Sequence, residues 1–221
     1  MKLLFENWQG FLNESYEQMP DQLAQFIVNS NAIEGYDVDL DNALFVITSQ
    51  GAEEGSYEHY QLKLANSPYI RSHLDGLAES KEFSGGVPNV KQIKNVHKAM
   101  GADVLDDALP GYLRSGGLLG GDVEAKGGPT YVSGPDVAEA LIWWTGREWQ
   151  DPFKAHTAYE LIHPFGDGNG RSGRIILAAM TNYDLRSVNS FIENKSSYLT
   201  EHERIGKEFQ GKFWKENNNL Q

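Results

Sequence analysis

The chain has 221 residues, no cysteine, and 31 acidic against 19 basic side chains, a formal charge of −12. The missing cysteine excludes disulfides, thiolate catalysis and Cys–zinc sites and fits a reducing cytoplasm; so acidic a chain is a poor general binder of nucleic acid or anionic membrane. Hydrophobic residues at 40% and charged ones at 23% are the proportions of an ordinary folded domain.

The first residues give an apolar run that stops at Glu6, too soon for a signal-peptide core. No stretch approaches the roughly 18 apolar residues of a membrane span. A first helix is expected from Pro20, with Leu23, Phe26, Ile27, Ser30 and Ile33 near one face and Gly35 as its stop. Further helices are expected at about 40–50, 57–65, 67–78 and 90–100. Residues 101–135 are glycine-rich, and Leu118-Leu119 with Thr130-Tyr131-Val132 read as two short strands of a hairpin. Helix resumes at Pro135-Asp136 through Trp144, again from Asp151-Pro152 to Ile162, and again from Arg171 to about Asn182. Trp143, Trp144 and Trp149 read as core packing, and the polar residues 216–221 as a fraying tail. The pattern is all-α with one small β element.

One segment stands apart, His163-Pro164-Phe165-Gly166-Asp167-Gly168-Asn169-Gly170-Arg171-Ser172-Gly173-Arg174. An apolar helix runs into it and another runs out. Pro164 discourages His163 from continuing the first helix, and Gly168 and Gly170 permit tight turns and a close backbone approach to a ligand. Backbone N–H groups leading into a helix N-terminus make an anion site. Two arginines at the positive end of a helix dipole are unfavourable unless a polyanion compensates them, and guanidinium binds phosphate in a fork. Asp167 supplies the single carboxylate with which phosphate-bound Mg²⁺ is usually held. His163 supplies a base near neutral pH. Together these groups point to phosphoryl or nucleotidyl transfer.

This segment resembles the signature of the Fic family, His-Pro-Phe-x-(Asp/Glu)-Gly-Asn-Gly-Arg-x-x-Arg, at every defined position. Gly111-Tyr112-Leu113-Arg114 and the glycine-rich stretch after it resemble that family's flap region, and His97 a recurrent position that reads as a buttress. Upstream, Ser30-Asn31-Ala32-Ile33-Glu34-Gly35 is similar to the family's inhibitory pattern, (Ser/Thr)-x-x-x-Glu-(Gly/Asn), whose two key residues share a helix face. The resemblance implies a Fic-fold helical bundle (81–210) with a small β-hairpin flap, preceded by a helical region (1–80) carrying the inhibitory helix and followed by a tail (211–221).

The implied activity is transfer of AMP from ATP to a Ser, Thr or Tyr hydroxyl of a target protein. His163 is then the base. Phe165 anchors the loop and Asp167 binds Mg²⁺. Gly168, Asn169 and Gly170 hold the α- and β-phosphates. Arg171 neutralises the phosphates, Arg174 grips the γ-phosphate and Tyr198 lies near the adenine. Leu118 and Leu119 dock the target by backbone pairing, and Glu34, beside Ser30, blocks Arg174. The related Doc branch, which phosphorylates, carries Lys where Gly170 stands. Three alternatives keep the scaffold: Glu34 positions a water and the protein removes AMP, alone or as well as adding it; the donor is another nucleotide or a diphosphate-linked alcohol; or the domain only binds. Expected partners are ATP and a protein with an exposed hydroxyl, with no nucleic acid or membrane; a homo-oligomer is compatible with the family.

Overall fold

A computed structural model describes residues 19–49, 52–65, 67–101, 104–105, 109–114 and 131–217, with side chains through residue 207. The described residues form ten α-helices and no strand. In chain order they are α1 (Met19–Glu34), α2 (Leu40–Thr48), α3 (Tyr57–Ala65), α4 (Pro68–Ser80), α5 (Val90–Ala99), α6 (Val137–Thr145), α7 (Pro152–Ile162), α8 (Asn169–Met180), α9 (Leu185–Ile192) and α10 (Lys195–Asn217).

Local chemistry sets the boundaries. The Asn89 side chain accepts the Gln92 N–H while Gln92 reaches back to the Asn89 N–H, a reciprocal cap that starts α5. Asp151 accepts from the Phe153 and Lys154 N–H groups at the start of α7, with Pro152 in the first turn. Gly35, at φ +88°, ends α1. Helix α8 begins at Asn169, two residues before the expected Arg171, because Gly168 takes φ +72° as its cap. Arg171 therefore sits in the first turn and Arg174 in the second. Helices α9 and α10 are additional to those expected, and α10 continues to Asn217, into the stretch read as a polar tail.

Helix α8 is the hub. It packs against α1, α4, α5 and α7, and ten of its twelve residues are buried. Such a helix needs small residues where neighbours come close. A Cβ on Gly173 would lie 3.0 Å from Tyr159 of α7, and one on Gly76 of α4 would lie 2.8 Å from Ile175. Leu23, Phe26 and Ile27 of α1 share one hydrophobic core with Leu74, Ile93, Tyr159 and Ile175, so the N-terminal helix is built into the body that carries the loop. Trp144 is fully buried and donates its indole N–H to the Ala155 carbonyl at 2.8 Å, while Trp143 and Trp149 are partly buried against the same core.

The hairpin expected over 118–132 lies mostly outside the described residues, Leu118 and Leu119 included. Tyr131 and Val132 are irregular, and the Val132 N–H donates to the Leu161 carbonyl at 3.1 Å. No helix among the described residues is long and apolar enough to cross a membrane.

Candidate active site

The loop between α7 and α8 is held from within. The Phe165 N–H donates to Asn169 Oδ1 and Asn169 Nδ2 donates back to the Phe165 carbonyl, both at 2.8 Å. Phe165 is fully buried and stacks on His97, with ring centroids 3.7 Å apart. His97 Nδ1 accepts the Gly111 N–H at 2.9 Å, so its Nε2 carries the proton and donates to the Asp167 carbonyl at 2.9 Å. Burial pushes the His97 pKa down to about 4, which keeps the ring neutral in that role. A Cβ on Gly168 would meet Leu105 at 2.4 Å. The loop thus reaches the start of α8 in one arrangement, and the Ser172 N–H, bonded to the Gly168 carbonyl at 2.9 Å, is the first of the helical ladder. The N–H groups of Asn169, Gly170 and Arg171 precede that ladder, as at any helix N-terminus.

His163 ends α7 in a left-handed conformation, φ +50°, which a non-glycine residue holds only under constraint. Arg114 supplies it. Its guanidinium donates to the carbonyls of Ile162, His163 and Val132, and its own N–H donates to the Pro164 carbonyl at 2.9 Å. The last carbonyls of a helix lack intrahelical partners, and here one buried arginine serves them. Tyr131 tilts over the His163 ring, centroids 4.1 Å apart. Burial, then the Arg114 charge, push the His163 pKa down to about 4, so the imidazole is an unprotonated base at neutral pH.

Arg171 and Arg174 are 2% and 1% exposed, and buried cations require partners. Arg171 donates to the Val104 carbonyl at 2.7 Å and to Asp167 Oδ2 at 3.1 Å, and its guanidinium lies over the Tyr36 ring. The Asp167 side chain is about one third exposed, 32%. One such carboxylate beside a helix N-terminus fits Mg²⁺ that takes its other ligands from phosphate and water. No cluster of three or more acidic or histidine ligands occurs among the described residues.

Arg174 turns toward α1. It donates through Nε to Ser30 Oγ and through Nη2 to the Ser30 carbonyl, each at 2.9 Å, and through Nη2 to Glu34 Oε1 at 2.6 Å. Burial raises the Glu34 pKa, but the Arg174 charge and hydrogen bond outweigh it and hold the carboxyl below the usual range. A Cβ on Gly170 would lie 2.2 Å from Glu34 Oε1, so the carboxylate rests on the helix backbone itself.

The structure therefore brings together His163, Phe165, Asp167, Gly168, Asn169, Gly170, Arg171, Arg174, Ser30 and Glu34. Residues 88–181 match the Fic/DOC family. These residues are a Fic domain. A probable protein adenylyltransferase of Aquifex aeolicus (strain VF5) is 36% identical to the chain over 77 residues, which are 33% of this chain and 23% of that protein. The match thus spans under a quarter of that relative's length. Two solved structures share the fold. One is a Fic family protein from Desulfovibrio desulfuricans G20, with a TM-score of 0.56 and 16% identity over 95% of this chain and 69% of that one. The other is a Fic domain containing signaling protein from Bacteroides thetaiotaomicron VPI-5482, with a TM-score of 0.55 and 18% identity over 87% and 78%.

Tyr198 is buried between α7 and Arg174. It is 3% exposed, its hydroxyl pairs with His156 Nε2 at 2.9 Å, and its ring lies 5.9 Å from the Arg174 guanidinium. It backs Arg174 in the Fic domain. Sequence reasoning also passed over three neighbours. Tyr131 and Arg114 belong to His163 only through the fold. Glu160, one turn before His163, has an enclosed Oε1 without a hydrogen bond, and burial raises its pKa to about 8. Its spacing from His163 on α7 was the available signal.

Proposed function

We propose that this chain is a protein adenylyltransferase that moves AMP from ATP to a Ser, Thr or Tyr hydroxyl of another protein and is restrained by Glu34. The observation that carries the reading is the convergence of a neutral His163, the bare N-terminal amides of α8 and two buried arginines, one of them capped by a carboxylate. His163 takes the hydroxyl proton as the oxygen attacks the α-phosphorus and the bond to pyrophosphate breaks. The α8 amides and Arg171 offset the charge that gathers on the phosphates. Asp167 would hold Mg²⁺, which, when bound, neutralises phosphate oxygens as a Lewis acid. Arg174 receives the terminal phosphate once Glu34 leaves it, because one guanidinium fork cannot serve both anions. Gly170, where the Doc branch has Lys, supports AMP transfer over phosphorylation. A protein with an accessible hydroxyl is the partner, and the cysteine-free chain fits a cytoplasmic setting.

The deciding experiment is intact-mass analysis after incubation with ATP and Mg²⁺, comparing the wild type, Glu34→Gly, and Glu34→Gly with His163→Ala. Adenylate is expected on the single variant, with at least a tenfold gain over wild type and loss in the double variant. A second reading has support in the partial exposure of the ionised Glu34 carboxylate, 34% at its side chain. An exposed carboxylate in the same site can orient water, and the protein then removes AMP. Release of AMP from a modified protein, lost in Glu34→Gly, distinguishes it. Competition among nucleotides fixes the donor.

A further inference from the structure

Behind the Arg174–Glu34 pair lies a buried relay that the reaction itself does not use. We propose that His73, on α4, is a positioning residue that fixes the Arg174 guanidinium, through Ser30, in the orientation that receives Glu34. The inference rests on the adenylyl-transfer reading for its activity readout alone.

Proton directions fix the relay. Ser30 Oγ accepts the Arg174 Nε–H at 2.9 Å. A hydroxyl has a single hydrogen, and if that hydrogen faced Arg174 the contact would become repulsive. Another acceptor must take it. His73 Nε2 lies 2.8 Å from Ser30 Oγ. Nε2 is free to accept only if the ring proton resides on Nδ1, and Nδ1 lies 3.0 Å from the Tyr69 carbonyl, which fixes that tautomer. Asn31 Nδ2 lies farther from Nδ1, at 3.4 Å, and donates to the Ile27 carbonyl at 2.8 Å. Ser30, His73 and Arg174 are each at most 1% exposed, so water cannot substitute for the imidazole. Burial, opposed by the Tyr69 carbonyl and helped by the Arg174 and Arg171 charges, drives the His73 pKa down to about 3. The ring stays neutral and keeps its lone pair.

The relay thus joins three helices, α4 to α1 to α8, and leaves Arg174 one low-energy orientation. Without the imidazole acceptor, the Ser30 hydrogen is free to turn toward the guanidinium. Arg174 then loses its Nε anchor and swings more readily toward a phosphate, which weakens Glu34's hold on it.

The test uses the full chain with His73→Leu, His73→Gln, Glu34→Gly and the His73→Leu/Glu34→Gly double variant. Hydrogen exchange of the Arg174 Nε–H, read by ¹⁵N NMR, is expected to quicken at least tenfold in His73→Leu and to recover in His73→Gln, whose amide oxygen can accept the Ser30 proton. Adenylate incorporation is expected to rise at least threefold in His73→Leu, with no further gain when it is added to Glu34→Gly. A merely structural histidine would not separate Leu from Gln, because neither restores its packing and only Gln restores the acceptor. Wild-type exchange in a folded His73→Leu, or equal disturbance by Leu and Gln, overturns the proposal. So does a ¹⁵N imidazole spectrum of the wild type with the His73 proton on Nε2, a measurement that needs no variant to fold. If Glu34→Gly fails to transfer AMP while Arg174 exchange responds as stated, the functional reading falls and the relay stands.

Discussion

Glu34 and Arg174 meet at 2.6 Å although 140 residues separate them in the chain. The carboxylate reaches the guanidinium by lying on Gly170, where a Cβ would come within 2.2 Å of it. Gly170→Ala is therefore expected to push Glu34 aside. In a double-mutant cycle with Glu34→Gly, the two stability changes should fall short of additivity by about 0.5–3 kcal/mol, the range for residues in contact. Strict additivity in urea melts would mean that the glycine does not seat the carboxylate.

His163 is expected to act as a base well into acid. An ordinary histidine is half protonated near pH 6.5, whereas burial and Arg114 bring this one to about 4. Protonation removes the base, so the acid limb of kcat/KM for Glu34→Gly should lie below pH 5. Its ring carbon shifts in NMR should remain those of the neutral form at pH 5.5. A limb between pH 6 and 7 contradicts the arrangement.

Acid should unfold the protein early. Burial lowers the pKa of His73, His97, His156, His163 and His202. Each takes up a proton on unfolding once the pH is below its unfolded value of about 6.5. The stability contributed by the neutral form is complete above that pH and is lost as the pH falls toward the folded value, about 4 for three of the five. Each such histidine costs about 1.4 kcal/mol per pH unit within its window. Glu160, raised to about 8, works in the opposite direction but counts once against five. The midpoint of thermal unfolding should therefore drop steeply from pH 7 to pH 5, and a flat profile would mean that these rings are hydrated.

Gly168→Ala joins two costs at one position. The backbone there has φ +72°, and the new methyl would stand 2.4 Å from Leu105. A loss of about 1–3 kcal/mol is expected from the backbone conformation alone, readable in the denaturation midpoint. A neutral substitution would show that the loop relaxes freely.

Asp167→Asn should leave the fold intact, since its side chain is about one third exposed, while raising the Mg²⁺ concentration for half-maximal transfer by Glu34→Gly at least tenfold. An unchanged Mg²⁺ titration would remove Asp167 from the metal site.

Much of this molecule is written locally. The His163–Arg174 segment announces its chemistry because its residues lie within one loop and the start of one helix, and the asparagine bracket shapes part of that loop through bonds only a few residues long. The helices α1 to α8 follow from apolar spacing and side-chain caps. Their edges are less legible: the start of α8 depended on Gly168 adopting a left-handed backbone, a choice stabilised by close neighbours such as Leu105.

Sequence by itself determined the helical class, the candidate loop and the shared face of Ser30 and Glu34, while the pairing of that face with a downstream arginine was only what the family resemblance implies. Tertiary structure alone decided how that face is held. Nothing in the spacing of His73 distinguishes it from any core histidine, and nothing near Arg114 says that its guanidinium will serve the carbonyls that end α7. The same holds for Tyr198, whose place behind Arg174 is set by the packing of α10 against α7. The physical reason is common to all three. A hydrogen bond needs a partner within about 3 Å, and for these side chains the partner lies in a distant part of the chain, 49 residues away for Arg114, 43 for His73 and 42 for Tyr198.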